Sequence, residues 1–221
     1  EAARSLDQAL KDARLARNPV LEGQVYWAMG LMNVGLYDNR RALLYVHEAQ
    51  RILRPQKQEW LLASLLGIEA IVGGSAADGG EKYALLVEAG KRAHALGLPL
   101  IERYALINLA DWHLIHREWP QAIDAASRGL ALSIPEGDAL GEGMLKLNLG
   151  QALFSSGKSR EGLAMQNEAC ARLRTLRQQN FVLMALTELA KSYEKLGRYR
   201  ESLEAMKEYK TINDTQVMGQ R

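Results

Sequence analysis

The tripeptide GKS at residues 157–159 is the first stretch of this chain that could do chemistry, because glycine and lysine in that order can cradle a phosphate. A phosphate loop needs a second glycine five residues before the first, on a tight turn between a strand and a helix, so that backbone N–H groups converge on the anion. Here that position is Ala152, inside a stretch with helical periodicity. Gly157 is therefore expected to be the turn glycine of a helical hairpin, with Lys158 in solvent. The stretch GGSAADGG at 73–80 fails the same test, because Gly80 is followed by Glu81. His113 and His116, with Asp111 and Glu118 nearby, have a spacing that could place two metal ligands on one helix. His113, however, stands eighty residues before Tyr193 in what proves to be a repeating pattern, so a packed ring is the simpler expectation. His47 and His94 lie on other helices, far apart in sequence. The single cysteine, Cys170, cannot form an internal disulfide and reads as a small buried apolar group. Glu201 and Glu204 read as a solvated helix face. No catalytic residue, no metal site and no cofactor are expected.

The elements that carry these residues must come from the bulk of the chain. Its 221 residues are 48% hydrophobic, 24% charged and 6% aromatic, ample for a sizeable core and unlike a disordered segment. A formal net charge of +2 gives no field that would argue for nucleic acid or an anionic membrane. The most apolar run, residues 60–74, is interrupted by Glu69 and falls short of the ~20 residues a membrane helix needs, so it is expected to be a buried helix. The chain opens with Glu1 on what already reads as a helix, which suggests a fragment of a longer protein.

Read in steps of forty, the sequence repeats. One ladder runs Ala9, Ala49, Ala89, Gly129, Ala169 and Tyr209; a second runs Gly30, Ala70, Ala110, Gly150 and Ala190. Small residues at two phases of one period imply two helices per repeat that approach closely, since Gly and Ala let backbones come near. Local text agrees: NLADWH at 108–113, NLGQAL at 148–153 and TELAKSY at 187–193 share a phase, as do the turns HREWPQA, SGKSREG and LGRYRES. Pro19 and Pro99 stand eighty residues apart, as do Pro55 and Pro135, each expected where one helix has ended and the next begins. The pattern predicts about eleven helices, at 1–17, 20–36, 39–54, 58–73, 81–97, 99–115, 119–133, 139–155, 159–178, 180–196 and 199–214.

With Leu186, Leu189, Ala190, Tyr193, Gly197, Tyr199, Ser202 and Tyr209 in register, the chain resembles the tetratricopeptide repeat (TPR) family, in a forty-residue variant with lengthened helices like that of bacterial signalling and regulatory proteins. The resemblance implies one all-α domain over 1–221. It would be a right-handed superhelical solenoid of antiparallel helix pairs, with a half repeat at 1–17 and repeats at 20–54, 58–97, 99–133, 139–178 and 180–214. Two repeats depart from the pattern. One carries Glu69 where leucine is expected, together with the GGSAADGG loop; the other has Gly35 and Tyr37 two residues early relative to Ala42.

In the resembled family the first helices of successive repeats line a concave groove for peptides or protein segments. By position, that groove would be lined by Gln24, Trp27, Leu31 and Val34, by Ser64 and Ile71, and by Tyr104, Ile107, Asn108, Asp111 and Leu114. The later helices would add Met144, Leu147, Asn148, Gln151 and Phe154, then Met184, Thr187, Glu188, Lys191 and Glu194, with Trp27 and Tyr104 the best candidates for exposure. Few basic groups accompany Lys191, so clamping of a terminal carboxylate is not supported. At the other end, Leu203, Met206, Ile212 and Val217 make the last helix more apolar than a solvated cap should be. A continuing helix, a second copy or an output domain is expected on that face. The resemblance thus implies a non-catalytic protein- or peptide-binding module, the sensory or regulatory part of a larger bacterial signal-transduction protein with, for example, a diguanylate cyclase or histidine kinase output. The alternative is a stand-alone assembly adaptor or self-associating scaffold. Such a sensor would lie in the periplasm if attached to a membrane protein, and otherwise in the cytoplasm. Neither nucleic acid nor direct membrane contact is expected.

Overall fold

The computed structural model describes residues 2–73, 79–176 and 179–219, and these residues form eleven α-helices and no strand. They are α1 (Ala2–Leu15), α2 (Pro19–Gly35), α3 (Asn39–Leu53), α4 (Glu59–Val72), α5 (Gly79–Ala95), α6 (Pro99–Ile115), α7 (Trp119–Glu136), α8 (Ala139–Ser155), α9 (Ser159–Arg174), α10 (Gln179–Lys195) and α11 (Tyr199–Gly219). From α2 onward each helix starts 20 residues after the one before, at 19, 39, 59 and so on to 199. The forty-residue period of the sequence is therefore two helix-plus-turn units of equal length.

The turns explain the spacing. Arg17, Tyr37, Lys57, Gly97, Arg117, Gly137, Gly157 and Gly197 all have positive φ, and all fall on the same 20-residue step. A left-handed residue after a helix redirects the chain and lets its own N–H and the one that follows reach back to the last carbonyls. At the GKS stretch the Gly157 N–H donates to the Phe154 carbonyl at 3.2 Å and the Lys158 N–H to the Leu153 carbonyl at 2.9 Å. Gly157 is thus the turn glycine between α8 and α9, with φ +96°. The next helix is then capped: Asn18 Oδ1 accepts from the Leu21 N–H at 3.0 Å and Asp38 Oδ1 from the Arg41 N–H at 3.1 Å. Pro19 and Pro99 open α2 and α6, where a missing N–H costs nothing.

Two local expectations change. Gly35 and Tyr37 are not an early turn: α2 runs through Gly35 and the turn falls on the regular step, with Tyr37 in the left-handed position. Pro135 does not lie beyond its helix but in the last turn of α7, where a proline removes one hydrogen bond rather than ending the helix.

The chain divides into two compact units, residues 1–105 and 106–221, with the division inside α6. In unit 1, α1 packs on α2, α2 on α3, α3 on α4 and α4 on α5, and the first helices α2 and α4 also touch each other. Val25 and Met29 of α2, Val46 and Leu53 of α3, and Leu61, Leu65 and Ile68 of α4 form its core. In unit 2 the same order holds, α7 on α8, α8 on α9, α9 on α10 and α10 on α11, with α8 also touching α10. Leu147, Cys170, Leu173, Leu186 and Leu189 are central to its largest cluster. The two ladders are interior: Ala49, Ala89 and Ala169 of the first and Ala110 and Ala190 of the second are buried. The closest approach is between α8 and α9. A methyl group built on Gly150 would stand 2.9 Å from the Gln166 backbone nitrogen and 2.9 Å from the Gly162 carbonyl oxygen, so the two backbones touch. No described helix is long and apolar enough to cross a membrane.

Candidate functional site

The first helices of the repeats, α2, α4, α6, α8 and α10, carry all the expected groove residues, and the face that each unit exposes on them is taken in turn. In unit 1 this face is aromatic and aliphatic. Trp27 is half-buried against the core; its indole N–H donates to Ser64 Oγ at 2.9 Å, joining α2 to α4. Trp60 meets it edge to face, with ring centroids 6.1 Å apart, and remains 40% exposed. Leu31 and Ile71 are exposed to a similar degree, and Tyr104 is exposed on the segment of α6 that belongs to this unit. Gln24 and Val34 are half-buried. Aromatic rings with a spare edge are the usual anchors of peptide recognition, since they supply contact area at little conformational cost.

Trp60 was not singled out from sequence. It sits one helical turn before Ser64 on the same stripe, and that i−4 relation was the available signal. Leu100, likewise one turn before Tyr104, is half exposed.

Unit 2 differs. Leu147 and Phe154 lie inside its core, and Ile107 and Leu114 are buried as well. Asn148 is buried, and its Nδ2 donates to the Ile107 carbonyl at 3.2 Å, tying α8 to α6. These four apolar residues and Asn148 hold helices together and offer a ligand no surface. Among the residues unit 2 exposes on its first helices are Met184 and Ile115, with Lys191 paired to Glu188 at 2.7 Å, Glu194 and Asp111; Asn108, Met144, Gln151 and Thr187 are half-buried. Lys146 bridges Glu142 and Glu168, each at 3.1 Å. Partial burial would lower its pKa, but the two carboxylates outweigh burial and raise it.

At the end of unit 2, Leu203 and Met206 of α11 are exposed. Ile212 turns inward with Tyr209 against the core cluster, and the side chain of Val217 lies outside the described residues. In register with Met206 stand Val46, Leu86, Ala126 and Gln166, all buried.

The other chemistry-bearing residues serve structure. His113 is buried and its Nδ1–H donates to Glu118 at 2.6 Å. His116 stacks on Trp112 at 3.9 Å and donates to the Trp112 carbonyl at 2.8 Å. Cys170 is fully buried, which pushes its thiol pKa up and leaves it in the unreactive protonated form.

The sequence matches no model of a known protein family and no curated protein. Solved structures do match. BtubC (BKLC) from P. vanneervenii is similar over 97% of this chain and 90% of its own, with a TM-score of 0.74 and 16% identity. A Rap protein in complex with competence and sporulation factor matches 87% of this chain, with a TM-score of 0.75 and 18% identity, and this chain spans 54% of it. A signal transduction ATPase with numerous domains and a tetratricopeptide repeat sensor, from Pyrococcus horikoshii, matches 89% of this chain with a TM-score of 0.68 and 14% identity; this chain spans 31% of it. At these identities it is the fold that is shared, and the chain has the fold of the tetratricopeptide-like helical repeat proteins.

Proposed function

We propose that this chain is a non-catalytic module that binds a peptide or protein segment on its first-helix face, as the sensory or regulatory part of a larger bacterial signalling protein. The observation that carries the reading is the exposed apolar stripe of unit 1, Leu31, Trp60, Ile71 and Tyr104, on α2, α4 and α6, the first two of which the Trp27–Ser64 hydrogen bond joins. A preformed apolar surface loses little conformational entropy on binding. The Rap complex and the repeat sensor of the ATPase support the regulatory reading by likeness of fold. An output domain such as a diguanylate cyclase or histidine kinase is the finer form of the proposal.

The test is to isolate the bound partner and measure its affinity for variants of both helix layers. Trp60→Ala and Tyr104→Ala should each weaken binding by about 1–3 kcal/mol. Leu44→Ala and Tyr83→Ala, exposed on the second helices α3 and α5, should leave it within about 0.5 kcal/mol. If the second-helix variants cost more, the face is wrongly assigned.

A second reading is favoured by one observation, the exposure of Met206 at a position that other repeats bury, with Leu203 exposed beside it on α11. On that reading the chain is a scaffold that associates through α11. Sedimentation of the wild type should then show a mass that rises with concentration, and Met206→Glu should abolish the rise. A concentration-independent monomer in both would remove this reading.

A further inference from the structure

The repeat formed by α4 and α5 departs from the others at several positions, and its departures converge on one place in unit 1. The helices α2, α6, α8 and α10 end at Gly35, Ile115, Ser155 and Lys195, so the forty-residue step from Gly35 would end α4 at 75; it ends at Val72. Glu69 stands in register with Met29, Leu109, Leu149 and Leu189, and Lys82 in register with Ala42, Ala122, Gly162 and Ser202. Where the other repeats close the top of the hairpin with an apolar and a small residue, this one has a carboxylate and an ammonium. The Glu69 carboxylate is held in place: Gln50 Nε2, itself on a buried side chain, donates to Oε2 at 2.7 Å, and His47 Nε2 approaches Oε1 at 3.3 Å. Beside it opens a cavity of about 250 Å³. Leu43, Ala70 and Leu85 give it an apolar lining, while Glu69, Glu81 and Lys82 supply both signs of charge.

We propose that this cavity is a binding site for a small zwitterion with an apolar side chain, of the size and chemistry of free leucine. The volume lies below the ~300–1,000 Å³ that drug-sized ligands fill and matches an occupant of roughly amino-acid dimensions. An ammonium group meets the carboxylates of Glu69 and Glu81, a carboxylate meets Lys82, and the aliphatic chain replaces water over Leu43 and Leu85. The carboxylate of Glu69 is mostly removed from solvent and keeps lone pairs that Gln50 and His47 do not use, so a charged donor in the cavity gains more there than at the open surface. This site is independent of the first-helix face, because the peptide-binding reading uses Trp60 and not Glu69.

Calorimetric titration of the chain with free leucine tests the proposal, with N-acetyl-leucine and isopentylamine as probes that lack the ammonium and the carboxylate. Saturable binding of leucine is expected, weaker by about tenfold or more for either probe. Glu69→Leu and Lys82→Ala, which restore the residue types of the other repeats, should reduce leucine binding to a similar extent; Lys82→Ala should leave the helical signal and thermal midpoint unchanged, whereas Glu69→Leu also strands the buried Gln50 amide. Glu69→Gln, nearly isosteric, should lose binding without any change of packing. Absence of saturable heat with leucine up to roughly 10 mM overturns the proposal, and so does unchanged affinity in Glu69→Gln. Trp60→Ala should bind leucine as the wild type does, so failure of the peptide reading and failure of this one are separable.

Discussion

Tyr37 shows how strongly the fold dictates a single backbone position. It holds φ +59° at the end of α2, a conformation that costs a residue with a side chain about 1 kcal/mol and costs glycine almost nothing. Its ring is 80% exposed, so little packing is lost if it is removed. Tyr37→Gly should therefore raise stability by about 0.5–1 kcal/mol in denaturant unfolding, while Gly157→Ala, at the equivalent turn, should lower it by a similar amount. Equal effects of the same sign would contradict the turn assignment. This scale was the least legible in the sequence. Left-handed positions are filled here by Arg17, Tyr37, Lys57 and Arg117 as readily as by glycine, so no residue type announces them. Nor does sequence say whether a stripe residue faces a neighbouring helix or solvent. Leu147, Asn148 and Phe154 stand among the groove positions that the family resemblance implies, yet they are interior, because α8 packs against partners that a one-dimensional pattern does not reveal.

At the scale of the helices the sequence was far more informative, because small residues must recur wherever two helices touch. The second ladder nevertheless mixes two physical situations. At Gly150 an added methyl group would meet backbone atoms of α9 that cannot move without separating the helices, whereas at Gly30 the nearest atom is Val46 Cγ2 at 3.4 Å, an ordinary contact. Gly150→Ala should therefore destabilise the fold by about 1–3 kcal/mol through overpacking. Gly30→Ala should be neutral or stabilising by up to about 1 kcal/mol, since alanine is the better helix former. Thermal or chemical unfolding of the two variants checks this, and a larger loss for Gly30→Ala would contradict the close approach of α8 and α9. The starts of the helices were also readable within a residue or two. Their ends were less so: α9 stops at Arg174 and α11 continues to Gly219, since frayed last turns carry no fixed residue signal.

Over the whole molecule, one repeated hairpin has been given two different surfaces. The first-helix face of unit 1 is apolar and aromatic, with Leu31, Trp60, Ile71 and Tyr104; the first helices of unit 2 expose charged Asp111, Lys191 and Glu194 alongside Met184 and Ile115. The period alone predicts equivalent faces, and the difference appears only once burial is known. The chain has four tryptophans, and two of them, Trp27 and Trp60, meet at the α2–α4 contact, whereas Trp112 and Trp119 belong to unit 2. Heteronuclear NMR of the indole N–H groups therefore reports directly on the central claim, using the shortest peptide of the isolated partner that still binds. The account predicts that the Trp60 resonance moves most on titration, that Trp27 follows with its N–H still protected by Ser64, and that Trp119 stays in place. A titration in which Trp119 moves and Trp60 does not would contradict it.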